Sequence, residues 1–439
     1  MRSDFLEVRD SRRSLDRVDG DLRAENAEIE APGGTLRVSG GTECHGHNDF
    51  FGNLITSYLE GRRGDIMVRG DLEATKYINV KGTLEVAGKL KSHRLVVNKS
   101  VAVGGALEVG DVDVGGSLDV DGEARADTVS VGGSLHCASG VDFGRMDIGG
   151  TAEVKGVARS ERIEVGGAFR GGAGVVSDDV DVGGSFEAEG EVEIGKIDVG
   201  GTARVGGGRV DRKVDVGGTF RSMAPLRFNT IDVGGTVNLT GGTGDDIDVG
   251  GRLVSEGSLT FNRIRVGGAV EINGDAVGSR VDVGGTFSAT GDVRLSGRLR
   301  VGGRIEARGS IDAEAVNVGG SVTADAIRAT GDIEASKLRT AKGAKADRIE
   351  IRRRGEAHGP LVGREVIVKE GADVEDVWGE SVVLLRGAHA RRVYASVLYA
   401  EAGSDVTDAI LFTRELRAER GCRFTATPAK AEKLPDPPL

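Results

Sequence analysis

The tripeptide Val/Ile-Gly-Gly begins at Val114, Val131, Ile148, Val165, Val182, Val199, Val216, Val233, Val249, Val266, Val283, Val301 and Val318. Successive starts differ by 17, apart from one step of 16 and one of 18 that cancel. A motif that holds register over twelve periods leaves few folds open. It describes a solenoid, in which each copy is one coil that buries its apolar face only against its neighbours.

Within a coil the apolar residues keep fixed phases. From Val182 they are Phe186, Ala188, Val192, Ile194, Ile197 and Val199; from Val131 they are Leu135, Cys137, Val141, Phe143, Met146 and Ile148. Residues two apart share one face of a strand, whereas on a helix they face different ways. Three such pairs per period predict three short strands joined by three corners. The pairing runs back through Leu107/Val109, Leu95/Val97, Leu84/Val86 and Leu72/Ala74 to Ile66/Val68, and more loosely to Ala27/Ile29. The segment from His47 to Gly64 is the least regular and reads as a bulged coil or a small insertion.

Beyond Val318 the wording changes. Gly355, Gly371, Gly387 and Gly403 recur at a constant step of 16, separated by longer β-branched and aromatic runs, and read as closing coils. The expected fold is therefore all-β, a single-stranded β-solenoid of triangular section with about 17 residues per coil. Residues 1–64 form less regular coils, 65–343 the Gly-rich array, 344–425 the closing coils with their slightly shorter period, and 426–439 a Pro-rich tail. That tail holds four of the seven prolines and is not expected to continue a sheet. About 24 coils at ~4.8 Å each would reach roughly 115 Å.

Composition agrees with a thin core. Glycine accounts for 72 of 439 residues and aromatics for 4%, where a globular core of this length would bury more large rings. The net charge is -11, yet residues 348–439 carry 15 Lys/Arg and 15 Asp/Glu, so the acidic excess lies in residues 1–347. An acidic chain without a basic stripe is a poor match for nucleic acid. Three scattered cysteines, Cys44, Cys137 and Cys422, fit a reducing compartment better than a disulfide framework. No apolar run nears the ~20 residues of a membrane helix and no signal-peptide core is present. The expected location is the cytoplasm.

Few residues read as chemical sites. The paired glycines are corners that need a positive φ or a close backbone approach; a phosphate-cradling loop would need a strand-glycine-helix context that is missing. The residue before each Val/Ile-Gly-Gly lies between two inward positions and faces out. It is acidic at Asp113, Asp147, Glu164, Asp181, Asp198, Asp215, Asp232, Asp248 and Asp282. Unit charges ~4.8 Å apart repel by roughly 0.9 kcal/mol in water, so this column is a candidate stripe for cations or a docking partner, against the plainer reading of a solvated, aggregation-resistant edge. Cys44, His45 and His47 hold soft ligands, but Cys44 is on the inward phase and the two histidines are not. His93, His136, His358 and His389 show no carboxylate partner in register. No catalytic residue, cofactor or metal is expected, and the two Arg-Gly-Asp strings are chance tripeptides.

The V-D-V-G-G-S/T units, VDVGGSL at 112–118 and VDVGGTF at 281–287, together with the LPDPPL tail, resemble the bactofilins, polymer-forming cytoskeletal proteins of prokaryotes. The resemblance implies a right-handed triangular β-helix that polymerises end to end into filaments without nucleotide, as a scaffold for proteins that the sequence does not name. The chain departs from that family in having far more coils. It also lacks the apolar N-terminal peptide through which some members bind membrane, since charge interrupts Phe5, Leu6 and Val8, and membrane association is doubtful here. Open strand edges at solenoid ends template further pairing, so Phe5, Leu6 and Val8 at one end and Ile410, Leu411, Phe412, Leu416 and Phe424 at the other are the expected self-contacts. A Pro-rich tail folded over the last coil would limit assembly. The competing readings are a β-helix enzyme of acyltransferase or polysaccharide-lyase type, and an exported or monomeric binding rod.

Overall fold

A computed structural model describes residues 5–438; the first four residues of the N-terminal block and Leu439 of the tail lie outside the described residues. The fold is all-β, a solenoid of about 25 turns of ~17 residues each, and every registered strand pairing is parallel. No helix occurs among the described residues. The chain divides into two compact units, Met1–Ala224 and Pro225–Leu439.

In the first unit the predicted phases are met coil by coil. Ser134–Cys137 lies between Ser117–Val120 and Thr151–Val154, with Leu118, Leu135 and Ala152 in one column. The other two sides of each coil are one bent strand, as in Val141–Ile148, which turns its corner at Gly144 without losing strand geometry. In the second unit, between Gly242 and Val318, the three sides separate into distinct strands, for example Ala276–Gly278, Arg280–Val283 and Thr286–Ala289, whereas further on they run together again, as in Asp373–Leu384 and His389–Ala400. The extra residue of the longest repeat falls in a corner, because Gly278 still pairs with Leu295 at the ordinary step whereas Val281 pairs with Leu299, one position further on.

The core is a set of single-file columns. Leu118, Leu135, Ala152, Phe169, Phe186, Ala203 and Phe220 are all 2% exposed or less, and the rings of Phe169 and Phe186 stack at 5.5 Å. Each large buried side chain contributes roughly 1.5–3 kcal/mol by leaving water, and alternation with alanine lets rings fit a column whose repeat is fixed by the backbone.

The irregular N-terminal segment is a bulged coil. Asn48–Arg63 runs as one strand whose register slips against its neighbours, most widely between Glu30 and Thr35, where Pro32, Gly33 and Gly34 add length. Phe50 points inward, and Phe51 lies outside between the guanidiniums of Arg12 and Arg69, 5.2 and 4.8 Å from its centroid.

The tail differs from expectation. Ala429–Lys430 is a short strand in register with Leu411 and Phe412, and Ala431 N–H donates to Phe412 O at 2.8 Å. Prolines interrupt a ladder only where their own N–H is needed; Pro428 precedes this pair and leaves its donors intact.

Candidate functional site: solenoid ends and charged columns

The paired glycines resolve into backbone packing. No glycine of the Val/Ile-Gly-Gly units has a positive φ. Instead Gly150 N–H donates to Gly133 O at 2.9 Å, and a Cβ on Gly150 would sit 2.5 Å from that oxygen. The amides that a phosphate would need are thus spent on the coil before. In the closing coils glycine has the other role. Gly371, Gly387 and Gly403 have φ of 65°, 68° and 80°, and Ala388 N–H closes a four-residue turn onto Leu385 O at 2.9 Å, with Gly387 in the third position. Gly355, assigned to this series from its spacing, is not the left-handed residue of its corner: Arg354 is, with φ 55°.

The acidic column forms in register, Asp147 beside Glu164, Asp181 and Asp198 in the first unit and Asp232 beside Asp248 in the second. A neighbouring column two residues earlier supplies cations to much of it. Arg145 reaches Glu164 at 3.0 Å, Lys196 reaches Asp198 at 2.8 Å and Lys213 reaches Asp215 at 2.6 Å; Arg265 and Arg300, standing in the column itself, meet Asp248 at 2.8 Å and Asp282 at 4.0 Å. Asp113, Asp147 and Asp181 face solvent. No group of three His, Cys, Asp or Glu side chains among the described residues is placed to hold a metal ion.

The histidine expectation is corrected. His136 pairs with Glu153 at 3.3 Å, His358 with Glu375 at 3.3 Å and His389 with Asp405 at 3.2 Å, each carboxylate one coil further along. These are exposed or half-exposed ladder pairs without a nucleophile. The Gly359 N–H, outweighing partial burial, and then His358 hold the Glu375 carboxyl below its usual range. Cys44 is fully buried while His45 is half-buried and His47 exposed, so the three do not converge. Burial pushes the Cys44 thiol up strongly and the Cys137 thiol up to about 12.

A hollow of about 770 Å³ follows a corner of the first unit beside the small inward residues Ala74, Ser92 and Ala126. Its walls alternate Glu73, Lys91, Glu108, Arg125 and Asp142, a mixed-charge surface open to water.

At the ends, the predicted contact residues part company. Phe5 and Leu6 are 47% and 38% exposed, on a strand, Phe5–Arg9, registered only with Asp21–Glu25 among the described residues. Leu6 is on the inward phase beside the fully buried Leu22, and it is bare because no described coil covers it. Val8 and Ile410 are buried core residues at 2% and 1% exposure; the same alternation that makes them apolar turns them inward. Leu411, Phe412 and Leu416 are half-buried, the first two lying beside the tail strand, and Phe424 lies opposite Val406.

No protein family, no curated protein and no solved structure matches this chain.

Two features escaped sequence reasoning. The cations facing the acids were legible, since Lys196 and Asp198 flank Ile197 and so share a face. The tail strand was masked by its prolines; the signal was the constant offset that relates Arg423 to Asp405 and Ala429 to Leu411.

Proposed function

We propose that this protein is a self-assembling structural scaffold of bactofilin-like character, whose copies join through the backbone edges of terminal coils without nucleotide. The observation that carries the reading is the edge at Phe5–Arg9, partnered on one side among the described residues, with Phe5 and Leu6 exposed. Unpaired N–H and C=O groups on a flat strand seek a second strand, and an identical coil matches their spacing. The glycine columns support assembly without nucleotide, because their amides are already bonded to carbonyls.

Light scattering coupled to size exclusion, followed by electron microscopy, tests this. The full chain is expected to associate as concentration rises, and Leu6→Lys to abolish association while Met223→Lys, at an exposed site away from that edge, leaves it intact. A chain that stays monomeric at every concentration and salt would sink the reading.

A further inference from the structure

We infer that residues 423–431 are a displaceable cap over a second assembly surface, the outer edge of the closing coil Asp405–Ala418, and that this surface fits another copy of the chain. The inference rests on the self-assembly reading above.

The closing coil has three sides. Two are occupied by the tail: Arg423–Phe424 registers with Asp405–Val406, and Ala429–Lys430 with Leu411–Phe412. The third side, Glu415–Ala418, has a registered partner on one side only among the described residues. Both contacts share one sequence offset, from Asp405 to Arg423 and from Leu411 to Ala429, so the tail takes the path of one more coil and then stops. Carried forward at that offset, Pro435 falls opposite Arg417, where a strand would need an N–H that proline lacks. What covers the edge is therefore an incomplete coil, two short strands without a third side, and very short edge strands are one device by which sheet edges are blunted.

Its hold is slight. The backbone bonds that tie it outside its two short strands are Arg423 N–H to Ser404 O at 2.8 Å, Thr425 N–H to Val406 O at 3.1 Å and Ala431 N–H to Phe412 O at 2.8 Å. By contrast the coil beneath registers with the closing coil along all three sides. The surface so covered accepts a parallel strand, and the matching donor is the first coil of a second copy. With the cap seated, the closing coil keeps open its short third side, Glu415–Ala418, and the longer open edge among the described residues is Phe5–Arg9, where an isologous contact closes at a pair. With the cap displaced, the two unlike edges can join in a heterologous contact that does not close, and chains add indefinitely.

The test compares the full chain with the full-length double variant Thr425→Pro, Ala431→Pro, which removes two of the tail's donors and leaves the closing coil untouched. Circular dichroism checks folding; light scattering and electron microscopy read assembly. The wild type is expected to stop near a pair, and the variant to grow to roughly ten chains or more. Excess peptide spanning residues 421–438 should suppress that growth. Equal, open-ended growth of both proteins overturns the cap and leaves the assembly reading standing. Equal restriction of both to a pair, with the variant folded, also overturns the cap. Monomers in both overturn assembly itself, and the cap with it. Should the variant not fold, brief trypsin treatment of the native full chain, cutting at Arg420 and Arg423, supplies the uncapped form, and the same outcomes apply.

Discussion

The Gly-rich array and the closing coils use glycine at the same kind of place for opposite reasons. At Gly150 the backbone angles suit any residue but a Cβ would lie 2.5 Å from Gly133 O. At Gly387 nothing lies within 4 Å of a Cβ, but φ is 68°. One corner is limited by space and the other by conformation. The difference follows from how each corner is bonded: the array's amides reach across to the preceding coil, whereas the closing coils turn on local four-residue turns. Both regions carry surface ion pairs, and the closing coils add a largely buried carboxylate, Asp376.

The largest expected effect breaks the array. Gly150→Ala must push the Gly133 carbonyl aside, along a column where each coil repeats the contact, and should cost about 3 kcal/mol. Because a solenoid's stability is a sum over neighbours, the loss should show as faster hydrogen exchange in the flanking coils 134–148 and 151–165 as well as a lower melting temperature. Gly150→Asn should be no better, since Asn's tolerance of positive φ is of no use at this corner. Rescue by Asn would refute the spatial account.

Next comes the buried carboxylate of the closing coils. Asp376, its side chain 9% exposed, accepts hydrogen bonds from Arg391 at 2.8 and 3.1 Å and from Arg392 at 2.7 Å. Burial by itself would raise its carboxyl, and the bonds from Arg392 and Arg391 outweigh that and hold it below the usual 3.8. Asp376→Ala should cost about 2 kcal/mol, less than a fully enclosed pair because both guanidiniums can turn to water. The sign of the pH dependence is fixed by the depressed value. The contribution is complete above about pH 3.8 and disappears as pH falls through the lower folded value. Acid melts of wild type and Asp376→Asn should therefore converge below that range and separate above it.

Gly387→Ala is the milder counterpart of the array substitution. A left-handed alanine is strained by about 1 kcal/mol, and Gly387→Asn should recover roughly half of that. The ratio of the Asn and Ala effects at Gly150 and Gly387, read from melts on the same instrument, separates the two kinds of corner without further structural work.

These contrasts bear on how much the sequence disclosed. The inward phases of Phe186, Ile194 and Val199 and the three-sided coil could be read directly, because period-2 pairs and a fixed repeat leave one geometry. The histidine pairs were within reach of arithmetic, since adding a period to His136 or His358 lands on Glu153 or Glu375. The reason for the glycines was not, for spacing records that a corner recurs and not whether space or φ limits it. Arg354 illustrates this, an arginine at φ 55° beside the glycine that spacing had picked. The tail strand was hidden by a composition rule applied to a whole segment, when the ladder depends on individual amides such as those of Thr425 and Ala431.

The smallest effect concerns the acidic column. Adjacent carboxylates in register repel by roughly 0.9 kcal/mol in unscreened water, a repulsion that bound cations or cationic side chains beside the column would ease. Lys196, with its ammonium 2.8 Å from Asp198, is of the second kind; that hydrogen bond, against some burial, raises its affinity for the proton. Both side chains are more than a third exposed, which limits the pair to about 0.3–0.5 kcal/mol. Lys196→Ala should lower stability by that amount in low salt, and the loss should vanish as salt shortens the reach of the repulsion among Asp181, Asp198 and Asp215. Millimolar Ca²⁺ or Mg²⁺ should leave the wild-type melt in place and restore part of the loss in the variant, where the lysine no longer fills the role. A wild-type melt that rises with divalent cation as much as the variant's does would mean that the stripe itself binds cations despite the lysine beside it.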